Sequence, residues 1–137
     1  MSQETIQRAI QKAIQKAKEQ VMWGCRTMVD KGYALGTAGN ISARVEGEPL
    51  FVITPSARPY LTMKPEDLAV GDMEGNVVSG PYKPSIEFSM HLGIYKERPE
   101  VNCIVHTHSK FATAVSAMDG VEKVPVIDIE GVVYPVS

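Results

Sequence analysis

The run Val101-Asn102-Cys103-Ile104-Val105-His106-Thr107-His108 constrains this chain more than any other stretch. Its uncharged, mostly β-favouring residues predict a buried strand that leads straight into two histidines. Side chains at i and i+2 of a strand share a face, so His106 and His108 are expected to project together from its end. Two imidazoles side by side suit a divalent transition metal, zinc above all. The alternative is a pair of hydrogen-bonded polar residues at a strand end.

A chain of 137 residues with 44% hydrophobic and 22% charged residues has the make-up of one globular domain with its own core. A net charge of -2 creates no global field for nucleic acid or an anionic membrane, so an anionic small molecule has to be held by local donors. Cys25 and Cys103 both sit among apolar residues, and reduced thiols in a cytoplasmic protein are expected. No apolar run reaches the length of a membrane span, and the polar N-terminus does not read as a signal peptide.

Ser2 is placed to cap a helix whose stripe runs through Ile6, Ile10, Ala13, Ile14, Ala17, Val21, Cys25 and Met28. Gly24 is a candidate break in it and Gly32 a candidate stop. Gly36-Thr37-Ala38-Gly39-Asn40-Ile41-Ser42 follows. Its small residues allow close backbone approach to an anion, although an ordinary turn into a strand fits equally. Strands are expected over 41–45 and 50–54 about a turn at Gly47, and over 69–70 and 76–78 about a turn at 72–75. Between the pairs lie a hydroxyl-rich loop, Thr54-Pro55-Ser56-Ala57-Arg58-Pro59, and a helical turn at 64–68. Short alternating strands of this kind argue for an antiparallel or mixed sheet.

A second helix is expected to open at Lys83-Pro84-Ser85-Ile86-Glu87, with Ser85 as its cap and a phosphate-favouring positive end. Phe88, Leu92 and Tyr95 form its apolar stripe. Glu87 and His91 lie one turn apart and share a face. A plain reading of Glu87 is an acid interacting with the helix dipole, and His91 reads best as a packed helix histidine. A short helix at 111–118 and a strand at 124–129 complete the pattern.

Gly36–Ser42, Ile53-Thr54-Pro55-Ser56, Pro84-Ser85-Ile86-Glu87 and Val105-His106-Thr107-His108, in that order, resemble the class II aldolase/adducin family. The resemblance implies an α/β fold: a three-layer α/β/α domain with a central mixed, mostly antiparallel sheet. It treats residues 1–137 as a single such domain, incomplete at its C-terminal end. By resemblance His106 and His108 are ligands to one Zn²⁺, and Glu87 is the carboxylate on or near the metal that moves protons. Gly39, Asn40, Ser56, Ala57 and Ser85 line the phosphate site. Ile86 stands where the aldolases carry a second serine. The family's third zinc histidine lies beyond Ser137, and its tyrosine acid falls near Ile129, with Tyr134 close in sequence.

The implied activity is zinc-dependent cleavage of a small ketose phosphate to dihydroxyacetone phosphate and an aldehyde. The metal would act as Lewis acid for an enediolate, with no need for a Schiff-base lysine. Sugar-phosphate epimerase and methylthioribulose-phosphate dehydratase activities exist within the same family. A non-catalytic, adducin-like assembly domain is the rival of a different class. A homotetramer, a sugar-phosphate substrate and no nucleic-acid or membrane partner are also implied.

Overall fold

The computed structural model describes residues 1–34 and 36–121. Helix α1 spans Gln3–Asp30 and is capped as expected, with the Ser2 hydroxyl accepting from the Thr5 N–H at 3.2 Å. Gly32, at φ 74°, stops it. Gly32 N–H donates to Val29 O and Tyr33 N–H to Met28 O, both at 2.9 Å, which satisfies two of the last carbonyls. Gly24 does not break the helix. A β-carbon there would lie 3.1 Å from Ile41 Cδ1, so glycine instead lets α1 settle closely on the sheet. Only the C-terminal half of the stripe is buried, through Ala17, Val21, Cys25 and Met28, while Ile6 stays exposed. A helix of 28 residues extends about 42 Å and outruns the short strands beneath it.

Five strands form one sheet: β1 Asn40–Arg44, β2 Leu50–Ile53, β3 Ala69–Asp72, β4 Val77–Ser79 and β5 Cys103–His106. Their order is β4-β3-β2-β1-β5, and every described pairing is antiparallel. Asp72 shapes the β3–β4 turn, its carboxylate accepting from the N–H groups of Glu74 and Asn76 at 3.0 and 2.8 Å. A single 3₁₀ turn, Pro65–Asp67, stands where a helical turn is expected. Helix α2 covers Phe88–Glu97 and α3 covers Lys110–Ser116.

Strand alternation sorts the core into two layers, giving the expected three-layer α/β/α arrangement. Ile41, Ala43, Val52 and Val70 pack against α1 through Val21, Cys25 and Met28. Phe51, Ile53 and Ala69 pack on the other face against Phe88 and Tyr95 of α2. The ring of Phe51 lies 5.0 Å from that of Phe88 and 5.3 Å from that of Tyr95. Burying one such ring contributes about 2–3 kcal/mol. The face of β1 turned to α2 is polar: Asn40, Ser42 and Arg44. Arg44 ties down the far end of α2 by donating to Val101 O at 2.7 Å and to Tyr95 O at 2.5 Å.

Several local expectations are corrected. β5 is not a buried strand, since Cys103 and Val105 are exposed: among the described residues the strand is paired only to β1. β5 ends at His106, leaving His108 just beyond the ladder. Ser85 does not cap α2: the flanking residue is Glu87, and the Ser85 hydroxyl instead accepts from the Glu87 N–H at 3.2 Å within the preceding turn. Leu92 is half-buried, and His91 takes its place on the buried stripe with Phe88 and Tyr95. The expected strand at 124–129, Ile129 and Tyr134 lie outside the described residues.

Candidate active site

The site forms where the N-terminal end of β1, the C-terminal end of β5 and the start of α2 meet. Asn40 and His106 are register partners across the β1–β5 ladder. This pairing places the loop before β1 directly against the histidine strand. The contact depends on Gly39, at φ 80°, because a β-carbon there would stand 2.6 Å from the carbonyl oxygen of His106. The buried Tyr60 hydroxyl donates to the Gly39 carbonyl and pins the loop from the other side.

Glu87 reaches this junction from the turn before α2. Its Oε2 pairs with His106 Nδ1 and accepts from Asn40 Nδ2 at 2.8 Å. The Asn40 bond first, and then His106, hold the Glu87 carboxyl below its ordinary value. It is therefore ionised at neutral pH. The ring of His108 lies beside that of His106, with 5.0 Å between centroids and 37° between planes. His106 is half-buried and His108 exposed.

Behind Asn40 the polar face of β1 is locked to α2. His91 is fully buried, with Nε2 2.5 Å from Asn40 Oδ1 and Nδ1 2.7 Å from Ser42 Oγ. Ser42 Oγ lies 2.7 Å from the Tyr95 hydroxyl. Burial pushes His91 down to about 4 and Tyr95 up to about 12, so both are neutral at physiological pH. The expectation that His91 is a packed histidine rather than a ligand is met, with both ring nitrogens satisfied. Ser42 and Tyr95 join it here, though no motif ties them to His91 along the chain. Their signal was the polar alternation Asn40, Ser42, Arg44 on a strand otherwise facing the core, matched by His91 and Tyr95 one turn apart.

A pocket of about 260 Å³ opens in front of these groups. Gly39, Asn40, Ser56, Ala57, Ser85, Glu87 and His108 all line it, so residues predicted from four separate motifs converge on one cavity. The Ser56 and Ser85 loops are zipped together: Ser56 N–H donates to Lys83 O and Ser85 N–H to Thr54 O, both at 2.9 Å. These bonds consume the two backbone donors, and the Ser85 hydroxyl also accepts from the Glu87 N–H. Ala57 sits at φ 54°, a strained conformation for a residue with a β-carbon, in the wall of the same pocket. Ile86 also lines it and is 90% exposed, an apolar rim where a hydroxyl donor was lacking in the sequence. Two more voluminous hollows, about 590 and 710 Å³, border α1 and bring no histidine to a carboxylate.

Residues 19–136 match the Class II Aldolase and Adducin N-terminal domain family. The chain belongs to that family. As a member of the class II aldolase and adducin family it is 38% identical over 113 residues to an L-fuculose phosphate aldolase of Methanococcus maripaludis, covering 82% of this chain and 61% of the relative. It is 40% identical over 105 residues to a 3-oxo-tetronate 4-phosphate decarboxylase of Haemophilus influenzae, covering 77% and 49%. An L-fuculose 1-phosphate aldolase structure superposes with a TM-score of 0.70 at 34% identity, covering 74% of this chain and 48% of that one. The chain thus spans about half to three-fifths of the length of these relatives.

The family's frequent metal dependence can be tested against the side chains present. Two imidazoles and an ionised carboxylate are the right donor types for a divalent cation. Among the described residues, however, no three His, Cys, Asp or Glu side chains converge closely enough to hold one unaided. Glu87 and His106 pair directly with each other. The donors therefore fit such a cation in kind and are short of a closed set in number.

Proposed function

We propose that this chain carries the core of a divalent-metal-dependent lyase for a small sugar phosphate, cleaving a ketose phosphate to dihydroxyacetone phosphate and an aldehyde. The observation that supports this most is the ionised Glu87 carboxylate, held by Asn40 beside His106 at the mouth of a hydroxyl-lined pocket. His106, His108 and Glu87 are the residues that would hold zinc, which when bound supplies Lewis acidity to a carbonyl oxygen.

The hydroxyls of Ser56 and Ser85, with the backbone of Gly39, Asn40 and Ala57, would receive the phosphate and fix the reacting end of the substrate. Glu87, ionised and one-third exposed, is in a state to accept a proton from a substrate hydroxyl and return it to carbon. The apolar Ile86 on the rim would narrow the hydroxyl-donor set on one side of the phosphate. We further infer a cytoplasmic protein, in which the free thiols Cys25 and Cys103 stay reduced, and a homotetrameric assembly.

Metal analysis of the purified protein, with a coupled assay for dihydroxyacetone phosphate, tests the reading. His106→Ala and Glu87→Gln are each expected to lower kcat by on the order of 100-fold or more. Full activity in both removes the proposed roles. A decarboxylase is the second reading, favoured by the 40% identical relative of that name. Release of carbon dioxide from a 3-oxo acid phosphate, without aldehyde, would select it. An assembly domain has no use for the three retained donors, which weighs against that rival.

A further inference from the structure

We propose that His91 is a positioning residue: donating from Nε2, it locks the Asn40 carboxamide with its nitrogen toward Glu87. The proposal rests on the reading of Glu87 as the proton-handling carboxylate.

One polarity runs through the whole chain of bonds. Asn40 Nδ2 lies 2.8 Å from Glu87 Oε2, and an amide nitrogen only donates. Asn40 Oδ1 then faces His91 and must accept, which puts the ring proton on Nε2. A neutral imidazole has one N–H, so Nδ1 accepts, and the Ser42 hydroxyl donates to it. Having spent its proton there, Ser42 accepts from the Tyr95 hydroxyl. The bonds from Glu87 to Ser42 reverse only together, by turning the Asn40 carboxamide over.

The frame behind Glu87 is rigid. Asn40, Ser42, His91 and Tyr95 are all buried, and β1 and α2 each supply two of them. A carboxamide turned over would aim its oxygen at the carboxylate, which His91 forbids. The Asn40 oxygen is thereby given to His91 and one of its two amide N–H groups to Glu87, so the amide orients that carboxylate. This assigns a job to the one buried imidazole that the proposed reaction does not otherwise use.

The experiment is long-range ¹H–¹⁵N correlation on the ring of His91 in ¹⁵N-histidine-labelled full-length protein at neutral pH, followed by kinetics of two variants. A proton on Nε2 with a bare Nδ1 is expected. A proton on Nδ1, or on both nitrogens, overturns the proposal. His91→Gln can still donate to Asn40 and is expected to keep kcat within about tenfold, whereas His91→Leu loses on the order of 100-fold. Competitive inhibition by inorganic phosphate should stay within about twofold of wild type in both. Equal kcat losses in the two variants, or weakened phosphate inhibition with kcat unchanged, overturn it. Should His91→Leu fail to fold, the tautomer and the kcat of His91→Gln decide, a kcat loss on the order of 100-fold in His91→Gln counting against it. Full activity in Glu87→Gln would remove the proposed function while leaving the His91 tautomer as stated, so the two failures are distinguishable.

Discussion

Gly39 passes so close to the carbonyl of His106 that a β-carbon on residue 39 would stand 2.6 Å from that oxygen. This contact seats the loop before β1 on the histidine strand, at the positive φ of 80° that residues with a side chain rarely adopt.

Gly39→Ala is therefore expected to cost about 2 kcal/mol or more, from the left-handed backbone and the forced displacement of β5 together. Gly32→Ala meets only the first penalty, since nothing lies within 4 Å of its β-carbon position. It should cost about 1 kcal/mol. Urea unfolding of both variants checks the difference, and equal losses would mean that the His106 contact is slack.

Gly71 plays the corresponding part on the α2 face, where a β-carbon would come within 2.5 Å of the Phe88 ring. Gly71→Ala should destabilise by about 1–3 kcal/mol through overpacking. Combined with Phe88→Leu, the two changes should cost less than the sum of the singles, because the smaller side chain vacates the space. A double-mutant cycle by thermal unfolding measures that coupling; strict additivity would refute the steric account.

Acid should destabilise the fold through His91. Its folded value is pushed from 6.5 down to about 4 by burial. Between those values the unfolded chain binds a proton that the native state refuses, so stability falls as pH drops from about 6.5 toward 4. The loss is on the order of 3 kcal/mol by pH 4. Urea titrations of chelator-treated protein at stepped pH should show it, and His91→Gln should flatten the slope over that window.

Cys25 is fully buried, and burial raises its thiol to about 12. It should resist a thiolate-selective reagent in native protein and react only on unfolding. Cys103 is exposed, so at equal times the native chain should carry its label at residue 103. Mass spectrometry of labelled peptides distinguishes the two.

The order of strands and helices was legible along the chain because each carries a local pattern. The C-terminal half of the α1 stripe, the turn at Gly47 and the Asp72 turn held. The expectations that did not hold were those decided by contacts distant in sequence. Gly24 read as a helix break because its helix propensity is poor, yet packing on Ile41 outweighs that penalty. Ser85 read as a cap because it precedes an apolar stripe. Its hydroxyl is taken by Glu87 N–H and its own N–H by Thr54, a loop that sequence spacing cannot bring alongside.

The chain by itself determined which residue types stand together: two histidines at a strand end, an acid before a helix, and small or hydroxylic residues in the loops. Propensity and periodicity act over a few residues, so these are written locally. Only the tertiary structure decided that Asn40, 47 residues from Glu87, holds its carboxylate, and that His91 stands behind it. Buried polar groups must find partners, and which partners are in reach depends on sheet register and on the helix laid across it.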